Sequence, residues 1–264
     1  MTPTAISPPR RQPGAPHRHR RHVLRVVAAL LIAFATAAVL VVQTPAPATA
    51  ASLGDRFSRE TVRPGDSDLS PYHIEHVYDL QYRLKWLGLF SVTPTGHYGS
   101  ITKAAVVKFQ KRNGIRATGV VGYSTWRALI RKTVRGRSAV PGACRSAGWH
   151  ACYDRSRHQV NLYRSGVLWN SWLVRGGSYS TPTRTGNFRV YYRDIDHYSQ
   201  KFDAPMPYSQ FFSGGQALHG SRLMMNPFVG HSHGCVNFWT EDAAQLWNLT
   251  ASHTLYVHVY GAWS

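Results

Sequence analysis

The chain has 264 residues, 43% hydrophobic and 12% aromatic, which is enough to bury a core in one or two domains and excludes a wholly unfolded polypeptide. Charge is lopsided: 31 Lys+Arg against 12 Asp+Glu gives +19, which implies an anionic environment. Nucleic acid, anionic lipid and acidic wall polymers all qualify at this point.

The N-terminus narrows that choice. Arg10, Arg11, Arg18, Arg20, Arg21 and Arg25 precede residue 50, and no acid does. Val26 to Val42 is apolar except for Thr36, and Ala48-Thr49-Ala50 is a small-x-small cleavage site. Residues 1–50 therefore read as a secretory signal. If uncleaved, the segment is a signal anchor, because its apolar run is at the lower limit for a membrane span. Either way the remainder is expected outside, in the cell wall or on the outer face of the cytoplasmic membrane, and no nucleic-acid partner is expected. Without the six arginines the balance is 25 cations against 12 acids, about +13, still basic.

Residues 51–72 are rich in Ser, Asp, Gly and Pro and read as a linker. A helical segment over 73–135 follows. Val77, Leu80, Leu84 and Leu87 recur at helical spacing, closed by Gly88. A second helix starts near Thr102, carries Ala105, Val106 and Phe109, and ends at Asn113-Gly114. A third starts near Ser124 as N-cap and buries Trp126, Leu129 and Ile130. Asp79-Leu80-Gln81, Leu87-Gly88, Thr95-Gly96-His97-Tyr98-Gly99, Phe109-Gln110, Thr118-Gly119-Val120-Val121-Gly122 and Thr125-Trp126 resemble the family of small helical peptidoglycan-binding domains. The resemblance implies peptidoglycan as a partner.

Residues 136–147 read as a second linker, and residues 148–264 as a mostly β domain. Gln159 to Tyr163 and Leu168 to Val174 alternate around Ser165-Gly166, a hairpin signal. Phe188 to Tyr192 and Leu255 to Val259 are further strands. One helix is expected from Thr240, as N-cap, to Leu249. The fold expected is thus two domains, a three-helix bundle and a mostly β domain, in a monomer.

There are three cysteines. Cys144 and Cys152 are close enough in sequence for a disulfide, which persists outside the cytoplasm. That leaves Cys235 as an unpaired, reactive thiol. Its setting is Gly230-His231-Ser232-His233-Gly234-Cys235-Val236-Asn237, downstream of Ala217-Leu218-His219-Gly220. A thiol is only a few per cent ionised at neutral pH, and an imidazole can take its proton. Glycine lets the backbone turn so that amides face a developing oxyanion.

Other readings are weaker. His231, His233 and Cys235 would share a face on a strand and could hold a metal, but nothing supplies the remaining ligands, so no metal or other cofactor is expected. Gly230 to Gly234 formally matches G-x-S-x-G, yet too little chain follows for an α/β-hydrolase. Papain-like enzymes place the Cys before the His, the reverse of the order here.

The arrangement resembles the L,D-transpeptidases (YkuD-like catalytic domain), whose signature is a His, a gap, then Ser/Thr-His-Gly-Cys-hydrophobic-Asn. Gly176-Gly177, Thr181-Pro182-Thr183, Thr185 to Phe188 and Met206-Pro207-Tyr208 extend the likeness. The resemblance implies a transferase that forms an acyl-enzyme on a stem tetrapeptide, releases the terminal D-Ala and passes the acyl group to an amine. It implies Cys235 as nucleophile, His219 as base, the Gly220 carbonyl as its orienter, and the amides of Gly234 and Cys235 as oxyanion hole. Asn237 braces the turn, Ser232 and His233 line the pocket, and Tyr208 with Phe211-Phe212 shapes the substrate channel. Sensitivity to carbapenems is also implied. An L,D-carboxypeptidase and a non-catalytic wall-binding protein remain open.

Overall fold

The computed structural model describes residues 56–136 and 139–263; the targeting segment expected over 1–50 lies outside the described residues. Helix α1 (Val77–Trp86) buries Val77, Leu80 and Leu84, the stripe that its spacing demands. Gly88 follows at φ 68°, the left-handed conformation glycine tolerates. Helix α2 (Ser100–Arg112) buries Ala105, Val106 and Phe109, and α3 (Tyr123–Thr133) buries Trp126, Leu129 and Ile130. These side chains form one core with Val62, Phe90, Tyr98 and Val121. Ser124 is not the cap expected: the chain is already extended at Gly122, which takes the N-cap position without a side-chain bond.

From Arg56 onward the segment expected as a linker is packed. Phe57 and Val62 are buried, Val62 bridges Val121, and Ser67 bridges His97. Two apolar anchors among polar residues are enough to fold it against the body.

The β region has nine strands among the described residues. They are β1 (Trp149–Asp154), β2 (Gln159–Arg164), β3 (Val167–Leu173), β4 (Gly186–Arg189), β5 (Tyr192–Ser199), β6 (Ala204–Ser213), β7 (Gln216–Gly220), β8 (Val236–Phe238) and β9 (Leu255–Tyr260). One sheet runs β3-β2-β1-β9-β4 and the other β5-β6-β7-β8. The β2–β3 hairpin turns on Ser165 and Gly166, both at positive φ, as a two-residue turn requires. The single strand expected over Phe188–Tyr192 is two strands in different sheets. Val190 N–H bonds to Leu255 O in the first, and Tyr191 N–H to Phe211 O in the second. Trp172, Val174, Leu218, Val236, Phe238 and Leu246 of helix α4 (Thr240–Thr250) fill the core between the sheets. Trp239, not Thr240, is the N-cap of α4.

A disulfide joins Cys144, in a short 3-10 turn (Gly142–Arg145), to Cys152 in β1. It clips the connecting segment onto the outer face of the first sheet, where Val140, Cys144, Cys152 and Tyr163 cluster.

The helical bundle is tied to the β region by buried charge. Arg83 is fully buried; it donates to Asp79 Oδ1 at 2.5 Å and Thr133 Oγ1 at 2.7 Å, then crosses to Ser171 O at 3.0 Å. Arg59 reaches Ser171 O at 2.8 Å and Gln245 Oε1 at 3.0 Å. His76, buried and in the left-handed region, contacts Glu60 through Nδ1 and Asp242 Oδ1 through Nε2 at 3.1 Å, with Trp239 edge-on to its ring. Burial alone would lower the His76 pKa, but Asp242 and Glu60 outweigh it and raise the pKa well above its usual value.

Candidate active site

The site lies where β7 and β8 run parallel. Their ladder pairs Leu218 with Val236, His219 with Asn237 and Gly220 with Phe238. Paired residues in a parallel ladder project to the same side, so His219 and Asn237 stand together. Cys235, immediately before β8, packs against Met206, Phe211 and Ala217.

His219 is buried, and its Nδ1 donates to the Gly220 carbonyl at 2.7 Å. That bond holds the proton on Nδ1 and leaves Nε2 as the basic nitrogen. Burial drives the His219 pKa down to about 4, opposed by the Gly220 carbonyl and assisted by the charge of His197. The base is therefore neutral at physiological pH. Burial also raises the Cys235 thiol, and the Ala217 amide opposes this. The Cys235 thiol lies 3.9 Å from the Gly215 carbonyl. The resting pair is thus thiol and imidazole, not thiolate and imidazolium.

The turn before the thiol is shaped by glycine. Gly234 has φ 117°, and a Cβ there would come 2.3 Å from Gln216 Nε2. Gly177 is equally confined: its Cβ would meet Thr181 O at 2.1 Å and Gly234 Cα at 2.9 Å. Gln216 holds the facing loop, donating to Pro182 O at 3.0 Å and accepting from Arg184 N–H at 3.0 Å. Ser232 Oγ donates to Cys235 O at 2.6 Å and accepts Gly234 N–H at 3.0 Å. The Gly234 amide, expected to face an oxyanion, is therefore engaged within the turn, whereas the Cys235 amide bonds to none of the described residues. Asn237 is fixed through its backbone, exchanging both hydrogen bonds with Arg175, and its side chain, with Oδ1 buried, bonds to His219, which favours the ring's charged form.

The aromatic residues divide. Phe211 lies beside Cys235, and Phe212 points into the core between the sheets. Tyr208 has φ 58°, and its ring lies 6.3 Å from that of Trp247 and packs, partly buried, against the core. His231 and His233 also part: His231 tilts against Trp263, while His233 stacks on Phe202 at 4.5 Å. The alternation that could have held a metal is thus broken by the turn. Phe202, at the tip of the β5–β6 hairpin, and His197, edge-on to Phe211 and 3.0 Å from Asp194, bring that hairpin over the site. Neither was legible beforehand, because both lie outside Met206-Pro207-Tyr208, the stretch of this hairpin that carries a resemblance. Gln216 likewise carried no signal beyond its position three residues before His219.

Residues 148–259 match the L,D-transpeptidase catalytic domain (YkuD), and residues 74–129 match a putative peptidoglycan binding domain. The chain is similar to the crystal structure of an L,D-transpeptidase (Yku) from Stackebrandtia nassauensis, with 25% identity over 79% of this chain and 97% of that one, TM-score 0.48. It is similar also to an L,D-transpeptidase from Xylanimonas cellulosilytica, with 27% identity over 77% and 98%, TM-score 0.43. An L,D-transpeptidase from Mycobacterium tuberculosis shares 17% identity over 43% and 57%, TM-score 0.39. No curated relative matches the chain at a significant level. The chain thus carries an L,D-transpeptidase catalytic domain over 148–259, preceded by a peptidoglycan-binding domain over 74–129.

Proposed function

We propose that Cys235 is the acyl-carrying nucleophile and His219 its base, acting outside the cytoplasmic membrane on peptidoglycan stems. The observation that carries this is the His219 Nδ1–Gly220 O bond of 2.7 Å, which leaves a neutral Nε2 on the strand beside the thiol. The thiol turns from Gly215 O to His219 when substrate enters, and Nε2 takes its proton. Sγ attacks the carbonyl carbon that links the third stem residue to the terminal D-Ala. A C–S bond forms, the C–N bond breaks, and His219 returns the proton to the departing amine. An acceptor amine then attacks the thioester. Its proton passes to His219, a new C–N bond forms, the C–S bond breaks, and the departing thiolate takes the proton back from His219.

The Cys235 amide is the backbone donor placed for the oxyanion. Gly234 supplies the positive φ that aims that amide, and its own N–H braces the turn through Ser232. Asn237 Oδ1 supports the protonated ring, a contact that favours the charged form of His219. Phe211 walls the thiol, His233 with Phe202 roofs it, and Tyr208 shapes the substrate channel from its partly buried position. The domain division proposed is targeting over 1–50, connection over 51–72, wall binding over 73–135, a second connection over 136–147 and catalysis over 148–264. A secretory signal that is cleaved, or that serves as an anchor if uncleaved, and action as a monomer complete the reading.

Incubation with a carbapenem followed by intact-mass measurement tests it. A covalent adduct on the wild type that disappears in Cys235→Ala is expected. Absence of an adduct on folded wild-type protein refutes the nucleophile. Purified tetrapeptide stems then separate transfer, which gives dimers, from hydrolysis, which gives tripeptides.

A further inference from the structure

The transferase chemistry leaves the basic surplus unused. A cavity of 310 Å³ sits at the junction of the two domains, against the first sheet and not the sheet that carries the β7–β8 ladder. Arg56, Arg131, Arg135 and Arg145 line it, over a floor that includes Phe57, Tyr163 and Leu168. No carboxylate is among its lining residues. Arg56 is held by a 2.8 Å bond from Nε to Leu168 O and by stacking over Phe57 at 4.8 Å. Arg135 is paired with Asp154 at 2.8 Å. Arg127 and Arg131 make no ion pair among the described residues, and with Arg56 they form a cluster of like charges. A second cavity of 480 Å³, lined by Arg127, Arg131, Lys132, Ser124 and Asn113, shares Arg131 and continues the basic surface along α3.

The concavity is built by elements that each have a reason to be there. The disulfide fixes the turn bearing Arg145. Gly166 allows the closest approach, since a Cβ there would come 2.9 Å from Arg145 O. Arg131 and Arg127 lie one turn apart on α3 and face the same way. Arg56, Arg127 and Arg131 crowd like charges together, which is unfavourable until an anion joins them.

We propose that this junction is a binding site for a phosphodiester-linked polyol polymer of the wall. Guanidinium groups converging from separate segments match a phosphate, which offers oxygens in several directions, better than a carboxylate, whose two oxygens one arginine can satisfy. The linked second cavity suits a repeating chain of such groups over an isolated ion. The site would hold the enzyme on anionic polymer while the helical domain holds peptidoglycan.

The test is binding of synthetic poly(glycerol phosphate) to the full chain, measured by calorimetry at several salt concentrations, with poly-L-glutamate and oligothymidylate as comparators. Two variants are compared, Arg56→Gln/Arg127→Gln/Arg131→Gln and a charge-matched control, Arg63→Gln/Lys85→Gln/Lys103→Gln, each checked for an unchanged melting temperature. The first triple is expected to lose on the order of tenfold or more in affinity and to flatten the log–log salt slope by about 2 to 3. The control is expected to stay within about twofold. Equal losses in both triples, no measurable binding, or equally tight binding of poly-L-glutamate or oligothymidylate overturns the proposal. Transfer activity does not enter the readout, so the result stands apart from the role of Cys235.

Discussion

Two buried histidines in this molecule live under opposite rules. His76, at the domain junction, lies between Glu60 and Asp242; it is driven toward the charged state and helps hold Glu60 at about 2 against burial. His219, beside the thiol, has a peptide carbonyl where an acid would stand, and its pKa falls to about 4. The junction satisfies its charge with more charge, which stiffens it. The active site withholds a carboxylate, which keeps a base free to accept a proton. Similar burial therefore gives a structural cation in one place and a neutral imidazole in the other.

The comparison can be broken most severely at the active site. His219→Ala is expected to lower transfer by about 10³-fold or more while leaving the melting temperature within a few degrees. Product analysis beside a thermal scan checks it, and a large loss of stability with activity retained sinks the assignment. At the junction the expectation reverses. Asp79→Ala strands fully buried Arg83 and is expected to cost about 3–5 kcal/mol, read by urea denaturation. Replacing both partners together, Asp79→Leu with Arg83→Met, should recover much of that loss. Gly234→Ala tests the turn between these extremes. Its φ of 117° and the Gln216 contact predict a loss of about 1–3 kcal/mol with most of the activity gone.

The smallest effect is the sharpest comparison. The pKa of His76 is raised by folding, so its contribution is complete below the unfolded value near 6.5 and fades as pH climbs through the folded value. The pKa of His219 is lowered, so its contribution is present above about 6.5 and fades as pH falls toward 4. Melting temperatures of His76→Gln and His219→Gln, each subtracted from wild type across pH 4 to 9, should therefore slope in opposite directions. Parallel slopes would remove the distinction. The acid limb of the rate profile should track the same group, with an inflection near 4.

Motif and periodicity reveal different parts of such a molecule. Cys235 and His219 were legible because the chemistry needs a short, specific run of residues. The helices were legible because Leu80, Leu84 and Phe109 repeat at the helical period. The β5–β6 hairpin was not, since β5 is largely exposed and alternates weakly. Nor was the junction, because Arg83 and Asp79 read as ordinary surface charges four residues apart on a helix. Only packing shows that they are buried.

The buried Arg83 bond to Ser171 has a kinetic meaning. A wall-binding domain on a loose tether would let one anchoring event serve many stems within the tether's reach. Here the wall-binding and catalytic domains keep a set separation, so each grip on the polymer presents one small neighbourhood to the catalytic domain. The enzyme must let go to change address, and its rate of release then becomes part of how densely cross-links are laid.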